Sequence, residues 1–193
     1  MKNKLKISKI TGIAIFMCLV VVLQLLSNYV TFGPVSITLA LIPIVVGAII
    51  YGPYAGFVLG AFCGLVVFFA PSTMALFWPY GIFKTLVLCL LKTGLAGLCA
   101  GFIYKLLSNK NKKLAVILSS VSVPLINTGI FAIAALWLYN DLLQSLCPEG
   151  QTVLIFLLVG FIGFNFIIEF LVNSCLSPVV LRLVNIAKER NEI

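Results

Sequence analysis

Histidine is absent from this chain, which removes the commonest general base and metal ligand of neutral pH. No G-x-x-x-x-G-K-[ST] phosphate loop occurs, so ATP hydrolysis by the P-loop route is excluded. Six cysteines are present (Cys18, Cys63, Cys89, Cys99, Cys147 and Cys175), but none forms a C-x-x-C pair and all except Cys147 lie in apolar runs. They read as small packing residues, with neither a zinc site nor a disulfide framework signalled. Charge is scarce as well: Asp, Glu, Lys and Arg make up 9% of the chain, and only five residues are acidic. A membrane enzyme therefore has a thin basis, Glu169 beside Asn165, without paired carboxylates or a nucleophile elbow. A small self-sufficient transporter or channel is the other alternative, but no internal repeat relates the two halves. No cofactor and no metal is implied.

What the chain has in abundance is hydrocarbon. Its 193 residues are 62% hydrophobic, with a mean hydropathy of +1.21. That is more apolar surface than a soluble domain buries, so the chain reads as one integral membrane domain over residues 1–193. At roughly 20 residues per span the length accommodates six helices. The most informative stretch is Leu41–Phe69, which is almost wholly apolar and broken only by Tyr51-Gly52-Pro53. Gly-Pro cannot continue a helix, so this stretch reads as a membrane hairpin. Its second half carries Gly56, Gly60 and Gly64 on one helical face, a groove that lets another helix come close. The expected spans are 10–28, 37–50, 53–69, 84–107, 114–138 and 152–185. The first has a basic start like a signal peptide, but it is long and lacks a small-x-small cleavage site. Residues 70–83 and 139–151 read as loops, and the last helix is longer than a bilayer needs, so it tilts, bends near Pro178 or projects.

The basic residues orient the bundle. Eleven lie at one set of ends: Lys2, Lys4, Lys6 and Lys9, then Lys105, Lys110, Lys112 and Lys113, then Arg182, Lys188 and Arg190. Only Lys84 lies at the other. By the positive-inside rule both termini are cytoplasmic, and the loops near 29–36, 70–83 and 139–151 are outside together. The net charge of +8 is thus a topological signal, and no nucleic-acid partner is implied.

Two ionisable residues remain inside the apolar runs, Lys92 and Glu169. A charge at the bilayer centre costs about 2.5–3.5 kcal/mol or more, so each should face the bundle interior. Lys92 shares a helix face with Thr85 and Cys89, and Glu169 with Asn165 and Asn173; Ser120, Pro124 and Asn127 form a third polar stripe. Two readings stay open: a structural Lys92–Glu169 ion pair with asparagines as interhelical glue, or a solute pocket lined by these groups. Lysine suits a carboxylate or phosphate, asparagine an uncharged polar group. Trp78, Tyr80, Trp137 and Tyr139 fall near outer helix ends, as an interfacial aromatic belt or as a lid over a flat ring. Lys84, at the outer mouth of its helix, either attracts an anionic solute or snorkels to headgroups.

Ile42-Pro43 and Gly47 in the short second helix, Gly52-Pro53 at the turn, and Gly56, Gly60 and Gly64 after it resemble a known pattern. With six spans and both ends inside, the chain is similar to the substrate-binding S components of energy-coupling factor (ECF) vitamin transporters. The resemblance implies an all-α, S-component-like bundle in a prokaryotic plasma membrane. It implies capture of a water-soluble vitamin near the outer face, under the outer loops and against the last three helices. On the chain's own polar stripes that site falls on Lys92, Asn127, Asn165 and Glu169, with Trp78, Tyr80 and Lys84 at the outer mouth. It further implies, as partners, a transmembrane coupling protein and two ATPase subunits. Docking often uses two alanines four apart in the first helix; here Ser8/Gly12 and Ala14/Cys18 keep the spacing without the alanine pair. Gly12, Ala14, Gly56, Gly60 and Gly64 are the expected docking residues. On that expectation Gly60→Leu would block transport while sparing solute binding.

Overall fold

The computed structural model describes residues 2–29 and 38–189. Most of the expected first loop and the end of the basic tail lie outside the described residues, as does the side chain of Ser8. The described chain is helical throughout: α1 (Lys2–Ser27), α2 (Leu41–Tyr51), α3 (Pro53–Phe68), α4 (Pro71–Phe77), α5 (Ile82–Leu107), α6 (Lys112–Leu138), α7 (Asn140–Leu146), the single turn α8 (Val153–Ile155) and α9 (Gly163–Glu189). A 3₁₀ turn, Trp78–Tyr80, links α4 to α5, and a π-helical turn, Phe156–Phe161, links α8 to α9.

Four stretches are long and apolar enough to cross a bilayer: Lys9–Ser27, Ile82–Leu107, Lys112–Leu138 and Gly163–Ala187. Helix α3 qualifies as a fifth only together with Pro71–Tyr80, from which it is bent by 70°. Helix α2 has 11 residues. At 1.5 Å per residue it is about 16 Å long, half of the ~30 Å hydrocarbon core. Nine of its residues are buried, so α2 is an internal strut of the bundle. Six crossings are reached only when α2 and α3 are counted as separate spans.

Local chemistry explains the joints. Gly52 adopts φ +97° and ends α2 with its N–H on the Ala48 carbonyl, and Pro53 opens α3, where no N–H is needed. The hairpin read from Gly-Pro is therefore present. Gly81, at φ +136°, makes the turn into α5. Asn111 caps α6, its side-chain oxygen accepting the Leu114 N–H at 3.1 Å. The stretches read as loops contain α4 and α7, whose Phe77, Leu142 and Leu143 are buried. The final helix is interrupted at Phe156–Ile162, while Pro178 lies within α9.

The glycine face is filled from within. Gly56 lies on the Gly97 backbone, Gly60 on the carbonyl of Thr93 and Gly64 on the carbonyl of Cys89, so α3 and α5 are in backbone contact. A methyl group on Gly60 would stand 2.9 Å from the Gly94 Cα and closer still to Thr93. Gly56, Gly60 and Gly64 are buried, and the expectation that they dock a partner is corrected: a glycine groove admits a close helix, and here that helix is α5. Gly12 faces the Tyr51 ring, whereas Ala14 lies on the exposed side of α1.

Gly60→Leu is accordingly expected to cost more than the 1–3 kcal/mol typical of overpacking, because rigid backbone is what it meets. Thermal unfolding in detergent should show a large fall in Tm and loss of solute binding together with transport. Gly129→Ala, where nothing lies within 4 Å, should leave Tm unchanged or slightly raised. A folded Gly60→Leu protein with normal binding would restore the docking role.

Candidate functional site

Two apolar clusters divide the bundle. One joins α1, α2, α3, α5, α6 and α9 through residues such as Leu41, Ile44, Leu59, Cys63, Ala96, Val116 and Val184. The other gathers Phe77, Leu88, Phe131, Tyr139, Leu143 and Phe161. Between them lies a cavity of about 50 Å³ lined by Thr38, Thr73, Thr85, Lys92, Asn127, Thr128, Asn165 and Glu169, with Phe77, Phe131 and Phe166 among its apolar walls. Helix α5 supplies Lys92, α6 supplies Asn127, and α9 supplies Asn165 and Glu169. All four are buried.

Periodicity puts them there. Lys92 stands seven residues beyond Thr85, two turns along one face of α5; Asn165 and Glu169 are one turn apart on α9. Asn173, the next member of that stripe, is diverted: its amide donates to the Glu169 main-chain carbonyl at 2.8 Å. Ser120 is likewise turned back on its own helix, donating to the Val116 carbonyl at 2.9 Å.

The carboxyl of Glu169 is tied on two sides. The Thr38 N–H, just before α2, donates to Oε1 at 2.7 Å, and the Asn127 side chain hydrogen-bonds to the same carboxyl. Since Asn127 Oδ1 has no partner, it is the amide nitrogen that donates, and the oxygen stays as an unpaired acceptor. Lys92 Nζ lies 5.2 Å from the centre of the Phe131 ring, with Glu169 as its electrostatic counterpart. Among the described residues no direct ion pair joins the two. The arrangement offers an ammonium donor, an acceptor oxygen and aromatic faces around one small space.

Trp78, Tyr80 and Lys84 do not line this cavity. Trp78 packs on Phe68 at 5.0 Å and on Phe69 at 6.3 Å. Tyr80 packs against the second apolar cluster. Lys84 Nζ donates to the Leu138 carbonyl at 2.8 Å and stands 4.8 Å over the Tyr139 ring. Lys84 thereby joins α5 to the end of α6, whereas Trp78 packs on the end of α3. The same joint holds Tyr139, which is fully buried; Thr85 Oγ1 donates to the Gly81 carbonyl at 2.8 Å and so accepts the Tyr139 hydroxyl at 2.7 Å.

Sequence reasoning missed Thr38, Thr73, Thr128, Phe131 and Phe166 as lining residues. Phe131 carried a signal, one turn after Asn127 on the same face; Phe166 sits three residues before Glu169. Thr73 carries none, because the sequence around it has the composition of a loop. Tyr139→Phe should remove one buried hydrogen bond, lowering stability by about 1 kcal/mol, and should add nothing to the loss in Thr85→Val, which removes that bond together with the donation to Gly81. Thermal denaturation of the two single variants and the double variant measures this; additive losses would contradict it.

The comparisons agree with this architecture. Neither a curated protein nor a solved structure matches the chain. A family does: "ECF transporter, substrate-specific component" matches residues 8–181. That range runs from α1 to beyond the cavity-lining turns of α9 and takes in every polar side chain of the site. A helical bundle with long apolar spans and a buried polar cavity, matched over nearly its whole length, places the chain in the family of substrate-specific components of ECF transporters.

Proposed function

We propose that this chain captures a water-soluble vitamin or related micronutrient outside a prokaryotic plasma membrane and passes it inward with a separate coupling protein and two ATPases. The observation that carries the reading is the convergence of Lys92, Asn127, Asn165 and Glu169, from three helices, on one cavity. In this reading the chain crosses six times with both termini inside, supported by the eleven-to-one division of basic residues. The cavity is built from the start of α5, the later half of α6 and the start of α9, all toward the weakly charged end. That is where an external solute would arrive.

The chemistry narrows the solute. Lys92 would hold a carboxylate or phosphate, Asn127 Oδ1 would accept an N–H or O–H, and Phe77, Phe131 and Phe166 would flank a flat ring. The free space of about 50 Å³ holds only a few waters. Entry of such a solute requires widening, and the bond from the Thr38 N–H to Glu169 lies where that widening would occur. Docking on the coupling protein falls to α1, whose apolar span is only 17% buried and exposes Ile10, Ala14, Ile15 and Leu19.

Titration calorimetry against a panel of vitamins, without ATP, tests this. One vitamin should bind; Lys92→Ala and Asn127→Ala should each weaken it at least about tenfold, the equivalent of roughly 1.4 kcal/mol. Normal binding in both variants would move the site elsewhere.

A further inference from the structure

A second and larger cavity opens at the other end of the bundle, about 470 Å³ in volume. Lys9 of α1, Tyr51 and Gly52-Pro53 at the α2–α3 turn, and Tyr104 and Lys105 at the end of α5 line it. It shares no lining residue with the first cavity.

Three features of this cavity favour an anion. Tyr104 is 7% exposed, and its hydroxyl is a buried donor without a partner. A buried hydroxyl left unpaired is unfavourable, and an acceptor that entered past the cavity wall to reach it would relieve it. Lys9 and Lys105 add two positive charges, and no acidic side chain is among the lining residues. Pro53 opens α3 beside the cavity, and no side chain caps that helix start, the electropositive end of its dipole. The ends of α2 and α5 also border the space, and Lys105 offsets the carbonyl charge of its own last turn. That role accounts for Lys105, and the positive-inside bias for Lys9; neither accounts for the Tyr104 hydroxyl.

The depth of the site identifies the anion's carrier. Lys9 starts one apolar span and Leu107 ends another, so the cavity sits at a membrane–water boundary. Ile10 and Leu106, next to the two lysines in sequence, are 68% and 72% exposed and would lie against acyl chains. The geometry points to a phosphate-binding site here, filled by the headgroup of an anionic phospholipid: phosphate oxygens accept from the Tyr104 hydroxyl and face the Lys9 and Lys105 ammonium groups.

Native mass spectrometry of the full chain, released from detergent with added phosphatidylglycerol or phosphatidylcholine, tests the proposal. Phosphatidylglycerol should be retained in preference to phosphatidylcholine. Lys9→Gln and Lys105→Gln should each weaken retention about fivefold, the worth of one basic residue near an anionic headgroup. Tyr104→Phe should also weaken it while leaving the lipid-free Tm unchanged or raised, since it removes an unsatisfied hydroxyl. Solute binding in the first cavity should survive all three substitutions. Equal retention of the two lipids, or retention unchanged in the lysine variants, would overturn the site; the rim lysines keep the test decisive if Tyr104→Phe does not fold. In a further arm, millimolar inorganic phosphate should leave the lipid bound. Displacement by phosphate alone would overturn the lipid assignment in favour of a free phosphate ligand.

Discussion

A charged or strongly polar side chain inside an apolar bundle must find partners there, and in this chain that constraint shapes the half of the molecule around the first cavity. Glu169 cannot be left bare in hydrocarbon. It is met by the main-chain N–H of Thr38 and by the Asn127 amide, which ties the entry to α2 and the middle of α6 to α9. Lys92 is met by the face of Phe131 and by the field of Glu169. Satisfying these two residues separates the apolar core into two clusters and leaves between them a space lined by polar and aromatic side chains. The family is one of transporter subunits, not enzymes, and the cavity presents donors, an acceptor and ring faces.

The precision of those positions depends on the helices behind them. Backbone contact between α3 and α5 along Gly56, Gly60 and Gly64 locks α5 against the hairpin, and Lys92 lies one residue before Thr93, the carbonyl on which Gly60 rests. The glycine face and the polar site are thus two sides of one helix. Packing in lipid has little hydrophobic drive, so close van der Waals contact between small residues supplies the rigidity instead.

Much of this was legible in the sequence. Gly52-Pro53 announced the hairpin because those residues have few other uses, and α5 and α6 begin within two residues of where the apolar runs place them. Lys92, Asn127, Asn165 and Glu169 were identifiable because a polar residue in an apolar span must point inward. Other features were not legible, for physical reasons. Small-residue spacing shows that a helix comes close to α3, but not whether that helix belongs to the same chain. Helices α4 and α7 are short and rich in residues that suit loops; burial of Phe77, Leu142 and Leu143 holds them, and tertiary packing overrides local preference. Trp78 and Lys84 had the chemistry of a binding site yet are engaged by neighbours, Phe68 and the Leu138 carbonyl, that no linear pattern brings near them.

The most direct measurement is a structure of the chain with its solute bound. This account predicts density in the space between α5, α6 and α9, with an anionic group within hydrogen-bond distance of Lys92 Nζ and a donor on Asn127 Oδ1. Solute bound outside that space, with Lys92 and Glu169 closed onto each other as a bare ion pair, would contradict it.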